Sequence, residues 1–390
     1  MTRLSEQTSC SIPILVGTYT ERGSEGIYPL AFDPETGKLS HAGSPANLEN
    51  PTYLALDAKR NFLFAVSETN NYLGQFGGSL AVYRIRTGSA EAQDSCCAQP
   101  ETGETPGICI SLEKIDQQPV RGKSSCHLLV DDERRLVAVA NYGSGSATIL
   151  AYSESGMITK TADLTGQIIK HAGHGPDSSR QDQAHVHHAS LSDQGRQINL
   201  VDLGIDQIVS YPWPIDPETA SETKPIYRLH CPPARGPRHL VLAKGDSRIY
   251  VVTEMGCTVL FFEKNDAGYK LMQEISTIPA DFRDVTTCAG IWMSSDGCWL
   301  LASNRGHDSL AVYGVSADGR LTLAGISPCG GRTPRDFHIL PIAGSRDCWI
   351  LAASQDDDRI CSYRLDGHTG KLGPLVASLP LPAPVCLLPL

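Results

Sequence analysis

One phrase recurs through the chain: a small residue or proline, two variable residues, an apolar run, a turn and a second apolar run. The copies are PTYLALDAKRNFLFAVSE from Pro51, SCHLLVDDERRLVAVANYG from Ser125, HHASLSDQGRQINLVDLG from His187, PRHLVLAKGDSRIYVVTE from Pro237, AGIWMSSDGCWLLASNRG from Ala289 and PRDFHILPIAGSRDCWILAASQ from Pro334. Aligned on the first core residue, the anchors are Leu54, Leu128, Ala189, Leu240, Ile291 and Phe337, spaced 74, 61, 51, 51 and 46 residues apart. A repeat of this period means that one supersecondary unit is copied and that each copy buries its apolar face against the next.

After each second run comes a third, such as SLAVYRI from Ser79, SATILAY from Ser146 and RICSYRL from Arg359, often with a fourth segment such as GRLTLAG. The runs are short, rich in Val, Ile, Leu and Tyr, and broken by Gly, Asp, Asn and Ser, which predicts strands. Four strands in about 50 residues is one propeller blade. The ends supply the last unit. PAPVCLLPL, closing the sequence, matches a first strand with Leu387 at the anchor, whereas PILVGTYT, GIYPLAFD and GKLSHAG at the start have no first strand before them. Pairing the two ends removes an open sheet edge. The expected fold is therefore all-β: a seven-bladed β-propeller spanning 1–390 as a single domain, its last blade shared by the N- and C-terminal strands. Residues 1–12 are expected to be a tail, and the Gly-, Pro-, Ser- and Gln-rich stretch 86–124 a mobile polar insertion loop.

Composition narrows the partners. With 33 basic and 43 acidic residues the formal charge is −10, which argues against broad binding to nucleic acid or to an anionic membrane. The apolar runs are strand-sized and the first ten residues lack an apolar core, so the chain is expected to be soluble and cytoplasmic. In that compartment the 13 cysteines are expected to be reduced thiols. They form no CxxC pair. The sequence does not speak to the oligomeric state.

In a propeller the first strand of each blade lines the central channel and the second folds back beside it. Residues just before the first strand and residues ending the second therefore meet at one mouth. Two residues before each anchor stand Thr52, Cys126, His187, Arg238, Ala289, Arg335 and Val385. At the end of the second strand stand Glu68, Tyr142, Leu203, Glu254, Arg305 and Gln355. His187, Arg238, Glu254 and Arg305 thus come to one rim from three consecutive blades. An imidazole moves protons near neutral pH, and guanidiniums hold a carboxylate or phosphate bidentately or stabilise an oxyanion. The plainer alternative is a ring of salt bridges in which Glu254 pairs with both arginines and nothing is catalysed. His185 and Arg335 are expected to bind substrate on the same rim.

Five of the twelve histidines, His171, His174, His185, His187 and His188, fall within 18 residues. The HVH triplet at 185–187 has the look of a metal pair on one strand face, but no third ligand stands at a diagnostic spacing, so no metal is expected. GSGSA from Gly143 leads into a strand and offers no helix N-terminus to a phosphate. There is no G-x-S-x-G elbow for a nucleophilic serine and no dinucleotide or flavin fingerprint, so no organic cofactor is expected.

At VGTYTERGSEGIYPLAFDPETGKLS, RQDQAHVH, GPRHLVL, SNRGHDSLAVY and TPRDF the sequence resembles the lactonase family of bacterial 6-phosphogluconolactonases. That family consists of seven-bladed propellers and includes the fungal-type 3-carboxy-cis,cis-muconate lactonising enzyme. The resemblance covers nearly the whole chain apart from 1–12 and 86–124. It carries the His-Arg-Glu-Arg quartet proposed for the muconate-lactonising member onto His187 of the HxH segment, Arg238 of GPRH, Glu254 and Arg305 of NRG. The usual S-P-D-G turn reads Ser192-Asp193-Gln194-Gly195, and a second such turn reads Lys244-Gly245-Asp246. Both departures lie on outer turns. AGIWMSSDG lacks an acidic residue that some members carry before the strand, which bears on substrate preference.

The resemblance implies hydrolysis of a small-molecule lactone, foremost 6-phospho-D-glucono-1,5-lactone, with His187 as general base, an arginine at the oxyanion and another on the phosphate. Two alternatives stay open. Cycloisomerisation of a carboxymuconate would use the same four residues. A non-catalytic interaction platform would predict exposed aromatic anchors, whereas aromatics make up only 6% of the chain.

Overall fold

The computed structural model describes residues 11–88, 108–159, 167–266 and 268–390. These form seven sheets around a common axis, and no α-helix occurs among the described residues. Each of six blades is an antiparallel meander with its first strand innermost. Blade one comprises Tyr53–Leu56, Phe62–Ser67, Ser79–Gly88 and Cys109–Pro119. The innermost strands of blades two to six are Ser125–Asp131, Val186–Ser192, Pro237–Ala243, Thr287–Met293 and Pro334–Pro341. The seventh blade is built from both ends: Pro384–Pro389 lies inside Ile12–Thr18, with Leu15 opposite Leu388 and Val16 opposite Leu387. That pairing closes the ring and leaves no free inner edge.

Second strands are the most apolar, since both faces are covered by neighbouring blades. Phe62–Ser67, Leu136–Asn141, Arg248–Thr253 and Cys348–Ser354 are buried almost throughout. Large aromatics tie adjacent blades by filling the gap and bonding the neighbour with their polar tips. Trp213 Nε1 donates to Asp131 Oδ2 at 2.7 Å, Tyr250 Oη to the Gly319 carbonyl at 2.8 Å, and Trp349 Nε1 to the Pro34 carbonyl at 2.9 Å.

Two boundaries expected from the sequence are corrected. The stretch 86–124 is not one polar loop: Cys109–Pro119 is the outer strand of blade one, paired along its length with Ser79–Gly88. It passes as a polar loop because an outer strand is only partly covered: Cys109 and Ile110 are buried, Glu113 and Lys114 are exposed, and the remaining residues are half-buried. The rest of the expected loop, 89–107, lies outside the described residues. The tail is shorter than 1–12, because Ile12 already pairs with Phe32; residues 1–10 lie outside the described residues.

Candidate active site

A repeated backbone irregularity builds the mouth. Where the innermost strand begins in five of the blades, the pairing register skips a residue: Cys126 in blade two, His187 in blade three, Arg238 in blade four, Arg335 in blade six and Val385 in blade seven. In blade five, Ala289 and Gly290 together oppose one partner position. A bulge re-aims the extra side chain and sharpens the local twist. Thr52, Cys126, Arg238, Arg335 and Val385 accordingly line one small cavity at the channel end. Apart from Thr52, whose strand pairs without a shift in register, the periodic rim of the sequence consists of bulge residues.

Aspartates in the turns between second and third strands anchor the loops that lead into these bulges. Asp206, at φ 53°, accepts hydrogen bonds from the backbone N–H groups of Ala234, Arg235 and Gly236 at 2.8, 3.1 and 2.7 Å. The same device recurs where Asp308 accepts from Thr333 and Asp358 from Ala383. Asp202 receives the N–H of His185 at 2.7 Å and the Nδ1 of buried His171 at 2.7 Å. Gly236 stands at φ 59°, where an added Cβ would strike Met255. Its carbonyl accepts the Glu254 N–H at 2.7 Å, so one clamp fixes Arg238 and Glu254 together.

Glu254 is the centre of the charged cluster. Its Oε2 pairs with Arg238 Nε at 3.1 Å and with an Arg305 terminal nitrogen at 2.9 Å, and its Oε1 pairs with Arg180. Arg238 also donates to the Ala289 carbonyl at 2.9 Å, and Arg305 to the Cys288 carbonyl at 2.7 Å. Burial would raise the Glu254 carboxyl, but Arg305 and Arg238, with His187 and Arg180, hold it well below the usual carboxylate range. Burial, reinforced by Arg305 and Arg335, brings the Arg238 guanidinium down to about 10 against the pull of Glu254. Glu254 is therefore an ionised hub that aims guanidiniums, not a proton donor at neutral pH. The salt-bridge arrangement foreseen as the plainer alternative is present, and one of its guanidiniums, that of Arg238, lines the small cavity.

His187 sits beside this cluster without an ion pair to it. Its Nδ1 lies 3.8 Å from Cys126 Sγ, and its ring meets Tyr142 and His239 edge-on, with centroids 5.6 and 5.2 Å away. Burial first, then Arg238, pushes its imidazole well below 6.5, so the ring is neutral at pH 7. The neighbouring Cys126 thiol is pushed far up by burial, with Glu68 adding to it, and is no thiolate. Below the rim, His127, His188 and His239 stack with Tyr53 in the channel, at centroid separations of 4.1 Å for His127–His188 and 3.9 Å for Tyr53–His127.

Across the cavity, Arg335 stacks on the Tyr19 ring, its guanidinium carbon 5.1 Å from the centroid, while Tyr19 Oη donates to Glu68 at 3.1 Å. Among the described residues Arg335 has no carboxylate partner within 4 Å. His185 is differently placed from the expectation. It lies flat on Tyr142 with ring centroids 4.3 Å apart, Nδ1 2.9 Å from the Tyr142 carbonyl and Nε2 3.3 Å from Asp182. Both ring nitrogens are engaged by the protein, so His185 supports Tyr142. The bulge at His187 breaks strand alternation, and His185 and His187 consequently do not share a face as a metal pair would. Among the described residues no cluster of three His, Cys, Asp or Glu side chains is arranged to hold a metal ion. Sequence reasoning missed Arg180 and Tyr19: Arg180 occupies no repeated offset, whereas Tyr19 follows the second strand of blade seven as Glu68, Tyr142, Leu203, Glu254 and Gln355 follow theirs.

Seven blades closed into a ring, with a guanidinium-rich mouth and buried imidazoles beside it, define the class: a seven-bladed β-propeller with a charged channel mouth. The chain matches the family described as lactonase, 7-bladed beta-propeller, over residues 13–389. It is 31% identical over 375 residues to a 6-phosphogluconolactonase of Bacillus subtilis, covering 95% of this chain and 96% of that protein. Among solved structures it is similar to a periplasmic gluconolactonase of Pseudomonas aeruginosa, with TM-score 0.81 and 26% identity over 97% of this chain and 99% of that one. It is also similar to a Lactobacillus plantarum protein, with TM-score 0.80 and 29% identity over 97% and 99% of the two chains. The chain belongs to the lactonase family of seven-bladed propellers. Among the described residues no helix is long and apolar enough to cross a membrane.

Proposed function

We propose that the protein hydrolyses 6-phospho-D-glucono-1,5-lactone to the open aldonate in sugar-phosphate metabolism. The charge of the mouth carries this reading. Arg180, Arg238, Arg305 and Arg335 gather there around the carboxylates Glu254 and Glu68, a local positive excess in a chain of formal charge −10. Such a site attracts an anionic substrate and stabilises a developing oxyanion.

Neutral His187 takes a proton from water as its oxygen attacks the lactone carbonyl. Arg238 and Arg305, aimed by Glu254, receive the tetrahedral oxyanion. The imidazolium then returns the proton to the departing ring oxygen, the ring C–O bond breaks, and His187 is neutral again. Arg335, stacked on Tyr19, donates to sugar oxygens of the substrate. A covalent route through Cys126 is disfavoured by its raised thiol. A cytoplasmic setting belongs to the same reading: nine of the described cysteines are buried, where a thiol packs as a small hydrophobe.

The test is turnover of freshly generated 6-phosphogluconolactone, corrected for spontaneous hydrolysis, beside unphosphorylated glucono-1,5-lactone and 3-carboxy-cis,cis-muconate. Preference for the phosphorylated lactone supports the proposal. Turnover of the muconate alone would replace hydrolysis with cycloisomerisation on the same residues.

A further inference from the structure

Three arginines converge on Glu254, but they are not held alike. Arg238 and Arg305 are buried, at 4% and 15% side-chain exposure, and each has a second bond to a backbone carbonyl. Arg180 is 38% exposed. It reaches the carboxylate from the segment preceding blade three and is otherwise engaged only with the Tyr142 phenol. Its backbone, in contrast, is firmly set. Asp177 Oδ1 accepts the Ser179 N–H at 2.9 Å, and the Asp177 carbonyl accepts the Gln181 N–H at 2.7 Å. The fully buried Gln181 side chain donates to the Leu203 carbonyl at 2.9 Å. A long cationic side chain on a fixed base, holding the exposed side of a buried carboxylate, has one protein anion to exchange for another.

Resting on the proposed lactonase reading, we infer that Arg180 is the phosphate-selecting arm of the site: the phosphate monoester of the substrate draws its guanidinium off Glu254 Oε1, and this exchange distinguishes phosphorylated from unphosphorylated lactones. Geometry favours Arg180 for this task over its two neighbours. Moving either of those would break a carbonyl bond and strand a buried guanidinium, which is costly. Moving Arg180 replaces one charge-assisted pair by another at the solvent boundary, and a guanidinium fork suits phosphate. Glu254 keeps Arg238 and Arg305 during the exchange, so the oxyanion-binding pair stays in place.

The experiment compares wild type, Arg180→Gln and Arg180→Lys on 6-phosphogluconolactone and glucono-1,5-lactone. The expected result for Arg180→Gln is a fall of about tenfold or more in the ratio of kcat/KM for the phosphorylated over the unphosphorylated lactone, seated in KM, with partial recovery in Arg180→Lys. Loss of the same size on both lactones, or a ratio changed less than threefold, would overturn the inference, since a merely structural Arg180 harms both equally. A second arm needs no turnover: calorimetric binding of the products 6-phosphogluconate and gluconate. If wild type hydrolyses neither lactone, the proposed function fails on its own. The inference then stands when Arg180→Gln weakens 6-phosphogluconate binding about tenfold relative to gluconate, and falls when it does not.

Discussion

Replacing Glu254 with glutamine keeps the shape of the side chain and removes the charge that three guanidiniums share. Arg238 and Arg305 would remain buried, with 4% and 15% side-chain exposure, beside a neutral amide. Breaking a buried pair from one side costs about 3–5 kcal/mol. The pair with Arg180, whose side chain is 38% exposed, adds less than about 1 kcal/mol. The amide oxygen still accepts one hydrogen bond, which puts the expected loss near the lower end, about 3 kcal/mol. At about 2.1 cal/mol/K per residue, this chain has an unfolding entropy of roughly 0.8 kcal/mol/K, so Tm should fall by about 4 °C. Thermal and urea denaturation of Glu254→Gln, Arg238→Met and the double variant form the assay. The double variant should recover at least about 1 kcal/mol relative to the sum of the single losses, because removing Arg238 removes one stranded charge. A Glu254→Gln loss below about 1 kcal/mol, or strict additivity, would refute the role of Glu254 as an ionised hub.

Other consequences follow from the same geometry. Asp206→Ala frees three backbone N–H groups ahead of Arg238; a loss of about 1–3 kcal/mol in urea denaturation is expected, with a larger relative drop in kcat/KM than in expression, and no change in either would contradict the clamp. His127, His187, His188 and His239 are all held below 6.5 by burial. The unfolded chain binds protons there that the folded one does not, so stability is full above 6.5 and falls as the pH drops below it, by up to about 1.4 kcal/mol per pH unit for each ring. Asp336, pushed up to about 6 by burial, works in the opposite sense between the ordinary aspartate value of 3.8 and that point, which leaves the imidazoles dominant. Urea midpoints at pH 7, 6 and 5 should therefore decline, and a flat series would contradict buried neutral rings. Arg335→Met should raise KM for the phosphorylated lactone about tenfold or more; an unchanged KM would remove Arg335 from substrate binding.

The ring was readable because every blade repeats the same apolar runs, 46 to 51 residues apart where no insertion lengthens the gap, and because Leu387 and the PILVGTYT strand are each half of one missing unit. The rim was readable for a physical reason that only the structure exposes. The bulge falls two residues before the anchor in blade after blade, so Cys126, His187, Arg238 and Arg335 share one offset. That same bulge falls at His187 inside HVH, where strict alternation would put His185 and His187 on one face; the metal pair this pattern resembles is set aside for want of a third ligand. Arg180 escaped because it lies on a segment with no counterpart in the other blades; its one sequence signal is its place at the head of RQDQAHVH. The Cys109–Pro119 strand escaped because an outer strand is only partly covered and its polar residues resemble a loop.

The claim on which the account turns is that a neutral imidazole at a bulge in blade three moves the proton. Steady-state turnover of 6-phosphogluconolactone by wild type and His187→Asn, each shown to be folded by its thermal melt, tests it directly. The account predicts a loss of about 10²–10⁴ in kcat. It also predicts a wild-type acid limb that lies below pH 6.5, because the depressed imidazole stays unprotonated there. A folded His187→Asn variant within threefold of wild type would contradict it.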